Sequence, residues 1–139
     1  MDKLISDANV PRILKMDGVG FSNFDEANQE KTNVDGLIKK YGTTTSWSHT
    51  LADSESNSAT LICQLPGEGN RMHHHPSWNE WWFIIEGEWE WNIEGKKVRI
   101  KKGDFVFMEK NRKHKITAVG EKAAIRIAVS RYDVEHVYE

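Results

Sequence analysis

Between residues 44 and 131 the sequence is interrupted every few residues by a turn signal: "PGEGN", "HPSWN", "EGE", "EGKK", "KKGD" and "VGEK". Gly, Pro and Asn at such points supply the backbone angles that reverse a chain. The segments between them are short and alternate between apolar and polar residues, the period of a strand rather than a helix. Strands are predicted over 44–51, 58–65, 71–75, 80–86, 89–94, 97–101, 104–109, 114–119 and 123–131. Many short strands with little helix between them imply an all-β sandwich or a closed antiparallel barrel. Closure would also remove the exposed edges that so many strands otherwise present.

Residues 1–42 read differently. They are polar and form an N-terminal extension, irregular except for one short helix in "NVDGLIKKYG". Asn33 is placed to cap it and Gly42 to end it, while Gly36 weakens its interior. The expected organisation is therefore an extension over 1–42 and one β-domain over 43–139, with no repeat or low-complexity linker dividing them.

Cys63 is the lone cysteine, so no intramolecular disulfide can form and a Cys-rich zinc module is excluded. Its setting, "SATLICQL", suits a buried structural thiol rather than a nucleophile. The first residues lack the long apolar segment of a secretory signal, and no stretch approaches membrane-spanning length, so a cytoplasmic chain without a membrane partner is expected. Nineteen Lys and Arg oppose 21 Asp and Glu, a formal charge of −2. That balance argues against nucleic acid as a partner. The basic run "EKNRKHK" (109–115) is a local exception that a solvated turn explains.

The densest chemistry lies in "NRMHHHPSWNEWWFIIEGEWEW" (70–91). Side chains alternate along a strand, so His73 and His75 share one face and His74 takes the other. Two imidazoles two residues apart can grip one ion together. Glu80, after a turn, is available as a third ligand, and His114, opening a later strand, as a fourth. Three imidazoles and one carboxylate suit Fe, Mn, Ni, Co or Zn and leave positions open for substrate. His49 and His136 have no partner at a meaningful spacing and are expected at the surface. If Glu80 faces inward, alternation sends Trp82 and Ile84 to the same side and Trp81, Phe83 and Ile85 to the other. Trp89, Trp91 and Ile93 share a face opposite Glu88 and Glu90. Most of the tryptophans are expected to be packing, with Trp82 and Trp78 considered for substrate contact.

These residues resemble the cupin superfamily. Its first motif runs Gly, five residues, His-x-His, three or four residues, Glu, six residues, Gly; Gly67, His73, His75, Glu80 and Gly87 meet every fixed position. Its second motif runs Gly, five residues, Pro-x-Gly, two residues, His, three residues, Asn. Gly103 and His114 are in register, while Glu109, Asn111 and Ala118 stand where the motif has Pro, Gly and Asn. Asn tolerates the left-handed conformation that Gly serves, so the turn can survive. The resemblance covers residues 44–131. It implies a small jelly-roll barrel (a double-stranded β-helix), usually a homodimer, with one divalent transition metal per chain held by His73, His75, Glu80 and His114. Iron(II) is the metal favoured, with Mn, Ni, Co or Zn as alternatives.

In "AAIRIAVSRY", Arg126 interrupts an alternating strand. Arginine faces outward by default; facing inward, its guanidinium would suit a carboxylate, phosphate or phosphonate. Arg71 and the basic turn beside His114 would add positive potential. The reading that follows is a mononuclear metalloenzyme acting on a small oxygenated anion, with dioxygenase-type chemistry favoured and Glu80, Arg126 and Trp82 as its reaction-site residues. An isomerase, epimerase, lyase or decarboxylase is the alternative, with Glu90 or Tyr41 as base. A second alternative is a binding cupin without catalysis.

Overall fold

The computed structural model describes residues 18–131 and 136–138. Within them lie β1 (Phe21–Asn23), α1 (Val34–Tyr41), β2 (Trp47–Asp53), β3 (Ser58–Gln64), β4 (Gly69–His74), β5 (Glu80–Glu86), β6 (Glu88–Ile93), β7 (Lys96–Lys101), β8 (Phe105–Met108), β9 (His114–Val119), β10 (Ala124–Ser130) and β11 (Val137–Tyr138). They form two sheets, a six-stranded one in the order β1-β2-β3-β10-β5-β8 and a five-stranded one in the order β11-β4-β9-β6-β7. All pairings are antiparallel except β1 with β2. The all-β expectation holds.

Alternation along the strands sorts residues onto faces as expected, and the faces then find each other. Trp82, Ile84, Val106 and Met108 from the larger sheet pack with Trp89, Trp91, Ile100, Ile116 and Ala118 from the smaller one. Ala118 pairs directly with Trp89, and a side chain this small admits the indole between the sheets. The second motif's departure at this position therefore serves packing.

The outer face of the larger sheet is also buried, over part of its width, by α1. Val34, Leu37, Ile38 and Tyr41 of the helix cover Trp47, Leu61, Cys63 and Ile125. The helix ends as the sequence predicts. The Asn33 side chain accepts from the Gly36 backbone, and Gly42, at φ 78°, turns its N–H to the Ile38 carbonyl. Burial pushes the Cys63 thiol up to about 11, with the charge of Glu68 adding to the shift, so it is protonated and inert at neutral pH. His49 is buried here too, its Nδ1 2.7 Å from the Tyr41 hydroxyl. The expected surface position for His49 is corrected by the helix that covers it. Farther along the same outer face, Trp81, Phe83, Phe105 and Phe107 remain exposed.

Three local differences from the predicted strands have physical causes. β2 starts at Trp47 rather than residue 44, because residues 43–46 make the bend out of the helix and the Trp47 indole donates to the Gly42 carbonyl at 2.8 Å. β1 and β11, three and two residues long, are too short for periodicity to reveal. β4 starts at Gly69, where a Cβ would lie 1.8 Å from the Ile116 carbonyl oxygen. Gly69→Ala is therefore expected to force β4 from β9 and cost about 3 kcal/mol, at the upper end for overpacking, read as a lowered urea midpoint. An unchanged midpoint would mean the two strands have room to separate.

Candidate metal centre

His73 and His114 come from neighbouring strands and are directly paired in the β4–β9 register. Their rings lie 4.3 Å apart between centroids. His75, just beyond β4, is 4.9 Å from His73 and 5.3 Å from His114. Glu80, the first residue of β5, brings a carboxylate from the other sheet against His75 Nε2. The four ligands expected from the sequence thus converge, and all four are buried. His74 lies outside the cluster, as alternation requires.

The backbone fixes which nitrogen each imidazole presents. A carbonyl oxygen only accepts, so His73 Nδ1–H donates to the Arg71 carbonyl at 2.7 Å and His114 Nδ1–H to the Arg112 carbonyl at 2.9 Å. Each therefore turns Nε2 toward the cluster, the arrangement that holds metal-binding histidines in one tautomer. His114 Nε2 is buried with no hydrogen-bond partner among the described residues. Burial first, then the charge of His73, presses His114 down to about 3, against the opposing pull of Glu80, so it is a neutral imidazole at physiological pH. Burial alone would raise Glu80, but the charge and hydrogen bond of His75, with the charges of His136 and His114, hold its carboxyl below the ordinary range. A neutral His114 with a buried lone pair lacking a donor, beside an ionised carboxylate and further imidazoles, belongs to a set that fits a divalent transition metal.

The turn carrying the second half of the site is tied to the first. Asn111 adopts φ 72°, the left-handed conformation expected of it, and its N–H donates to the His75 carbonyl at 2.8 Å. Lys110 N–H donates to the Asn79 side chain at 2.8 Å. The basic run is thus a turn that clamps the two ligand loops together.

The residue that sequence reasoning missed is His136. Expected at the surface, it is only 4% exposed, because the β11–β4 register pairs Val137 with His74 and so sets His136 opposite His75. Its ring lies 4.4 Å from that of His75 and 5.1 Å from that of His73. The ligating atoms form two overlapping triads, His75–Glu80–His114 and His73–His75–His136, each within 4.8 Å and sharing His75. Only pairing across 61 residues creates this proximity, and no local pattern signals it.

A family model described as the cupin domain matches residues 60–130, about half of the chain. The chain belongs to the cupin family. Cupins usually bind a metal, and the two triads are groups able to hold one. Among solved structures, this cupin resembles a Klebsiella pneumoniae protein with a double-stranded β-helix domain at TM-score 0.66 and 18% identity, over 81% of this chain and 99% of that one. It also resembles the oxalate decarboxylase of Lactobacillus farciminis at TM-score 0.53 and 19% identity, over 59% of this chain and 26% of that one. Among curated proteins, it is 29% identical over 59 residues to the tetracenomycin polyketide synthase protein TcmJ of Streptomyces glaucescens. That match takes in 42% of this cupin and 40% of TcmJ. No helix among the described residues is long and apolar enough to cross a membrane.

Beside this cluster lies a cavity of about 230 Å³, smaller than the roughly 300–1,000 Å³ typical of drug-sized ligands. Of the five clustered residues, Glu80 and His136 line it. Arg126 lines it as well, 2% exposed, its Nη2 donating to Asn70 Oδ1 at 3.0 Å and its guanidinium 4.4 Å above the Trp89 ring. Arg126 thus departs from arginine's outward default. On the same wall are the hydroxyls of Ser22, Ser48, Thr50, Ser58, Thr60 and Ser130; Thr50 pairs directly with Thr60, and Ser48 Oγ donates to Ser22 Oγ at 2.7 Å. Gly18, Val19 and Phe24 close part of this wall, so the described end of the extension helps shape the cavity.

The other residues singled out in the sequence are spread more widely. Trp82 is buried edge-on to Trp91 at 4.7 Å and lies 5.8 Å from His114, so it backs that imidazole within the core. Trp78 lines a neighbouring depression and sits under Arg131, whose guanidinium is 4.5 Å from its ring and which itself lines the cavity. Arg71 stacks 4.1 Å over Tyr138, holding β11 beside His73. Glu90 faces away from the core beside Lys97, and Tyr41 is on the helix covering the opposite face of the larger sheet. Neither stands where the alternative reaction would need its base.

Proposed function

We propose that this cupin is a mononuclear metal-dependent enzyme acting on a small oxygenated anion, with dioxygenase-type chemistry and iron(II) as the working metal. The observation that carries the reading is the buried guanidinium of Arg126 in the cavity that Glu80 also lines. A cation and the Glu80 edge of the ligand set facing one small cavity suit a molecule with an anionic group at one end and metal-seeking oxygens at the other. Bound iron(II) would supply Lewis acidity and a position for dioxygen beside those oxygens.

The chain's own residues then divide the work. Arg126 takes the carboxylate, phosphate or phosphonate, oriented by Asn70 and the Trp89 face. The Ser and Thr hydroxyls accept and donate along the substrate's oxygens. The apolar core behind His114 keeps water from the ligands. Glu90 and Tyr41 do not line this cavity, so neither serves there as the base that an isomerase or lyase requires.

Elemental analysis of protein purified without added metal, followed by oxygen-electrode assays over a panel of small carboxylates, phosphates and phosphonates, tests this. Near-stoichiometric iron and substrate-dependent oxygen uptake are expected. Arg126→Met should raise KM by about tenfold or more, the loss of a charge-assisted contact, with metal content unchanged. Absence of metal would end the enzyme reading. Turnover without oxygen uptake would replace the oxygenase by a non-oxidative cupin enzyme.

A further inference from the structure

The motif's three histidines and one glutamate leave His136 without a role, yet the structure brings it beside His73 and His75. Its placement rests on three independent contacts. Register sets it opposite His75. Its ring stacks with that of Tyr138 at 6.0 Å and 16° between planes, and the Arg71 guanidinium lies 4.1 Å over the Tyr138 ring. His73, His75 and His136 present ligating atoms within 4.8 Å of one another, and a small inward movement, to at most about 4.2 Å, lets them share one ion at metal–nitrogen distances of about 2.0–2.1 Å.

The position of the cavity adds direction. His73, His75 and His114 are behind its wall, whereas His136 and Glu80 form part of it. A ligand entering from the cavity therefore meets His136 before it meets the other imidazoles.

We infer that His136 is a fifth metal ligand, carried in by the C-terminal strand on the substrate side of the centre, so that metal occupancy and docking of β11 stabilise each other. This rests on the proposal that the cluster binds a metal. By linkage, an ion that binds the docked strand more tightly must hold that strand down when it binds. His136 is also the imidazole placed to yield its coordination position to an incoming anion, because it alone among the four lies on the cavity wall and leads into a two-residue strand at its sheet's edge.

Cobalt(II) provides the probe, since its visible bands change in intensity and position with ligand number. In His136→Gln, chelator competition is expected to show cobalt(II) affinity lowered by about tenfold or more, with an altered visible spectrum and a stoichiometry still near one ion. A second measurement needs no variant. Trypsin cleavage after Arg131 in the wild-type chain, followed by mass spectrometry, is expected to slow about fivefold or more when cobalt(II) is bound. Identical affinity and spectrum in His136→Gln, or cleavage at the same rate with and without cobalt(II), would overturn the inference while leaving a four-ligand site intact. Failure of the wild-type chain to bind cobalt(II) at all would remove both this inference and the metal reading beneath it.

Discussion

His114→Ala is expected to lower metal affinity by more than about a hundredfold, beyond the 10–100-fold typical of losing a residue that merely orients a ligand. His114 reaches the cluster from β9, and its Nδ1–H is already committed to the Arg112 carbonyl, which leaves Nε2 buried without a hydrogen-bond partner among the described residues and available to a metal. The imidazole also fills space against Trp82 and Trp91. The alanine variant therefore creates a cavity, and a loss of metal could be blamed on repacking. Two controls separate these causes. His114→Gln retains most of the volume and should lose affinity to a similar degree, and free imidazole should restore part of the metal binding in His114→Ala by occupying the vacated space. Activity should follow metal content in every case. Full metal occupancy at wild-type affinity in both variants would remove His114 from the ligand set.

The metal-free protein is expected to lose stability steeply as pH falls below about 6.5. His114 titrates near 3 when folded and at 6.5 in its unperturbed state. Between those values the unfolded chain binds a proton that the folded chain refuses, so acidification favours unfolding, by about 1.4 kcal/mol per pH unit for this one group. Glu80 works in the same direction at lower pH, because its folded carboxyl is also held below the ordinary range and its stabilising charge is lost on protonation. Urea midpoints measured on chelator-treated protein from about pH 7 to about pH 4.5 should fall continuously, and His114→Gln should flatten the slope. Bound metal should resist the change at first and then be released, since protons compete for the same lone pairs. A midpoint independent of pH over this range would contradict the burial of a neutral imidazole at position 114.

Much of the site was legible because it is written locally. The spacing from His73 to His75 selects one strand face, the following turn delivers Glu80, and the Gly103-to-His114 interval places the fourth candidate ligand at the start of β9. The same period assigned Trp82 and Ile84 inward and left Trp81 and Phe83 outward, as observed. The helix between Asn33 and Gly42 was legible too, because both caps act within a few residues.

The positions that sequence reasoning misread are those whose environment comes from a distant segment. His49 reads as a surface residue until α1 covers it. His136 reads the same way until β11 pairs with β4. Arg126 has an ambiguous direction until Asn70, 56 residues earlier, meets its guanidinium inside the cavity. Glu90 and Tyr41 have suitable chemistry but lie on outer faces, a fact of sheet stacking that hydroxyl or carboxyl identity does not encode. Sequence alone therefore determined the strand pattern, the helix caps and the four-ligand motif, since these depend on alternation and short spacing. Tertiary structure decided the fifth histidine, the inward arginine and the shape of the cavity, because strand register and the packing of one sheet on another join residues that no local period connects.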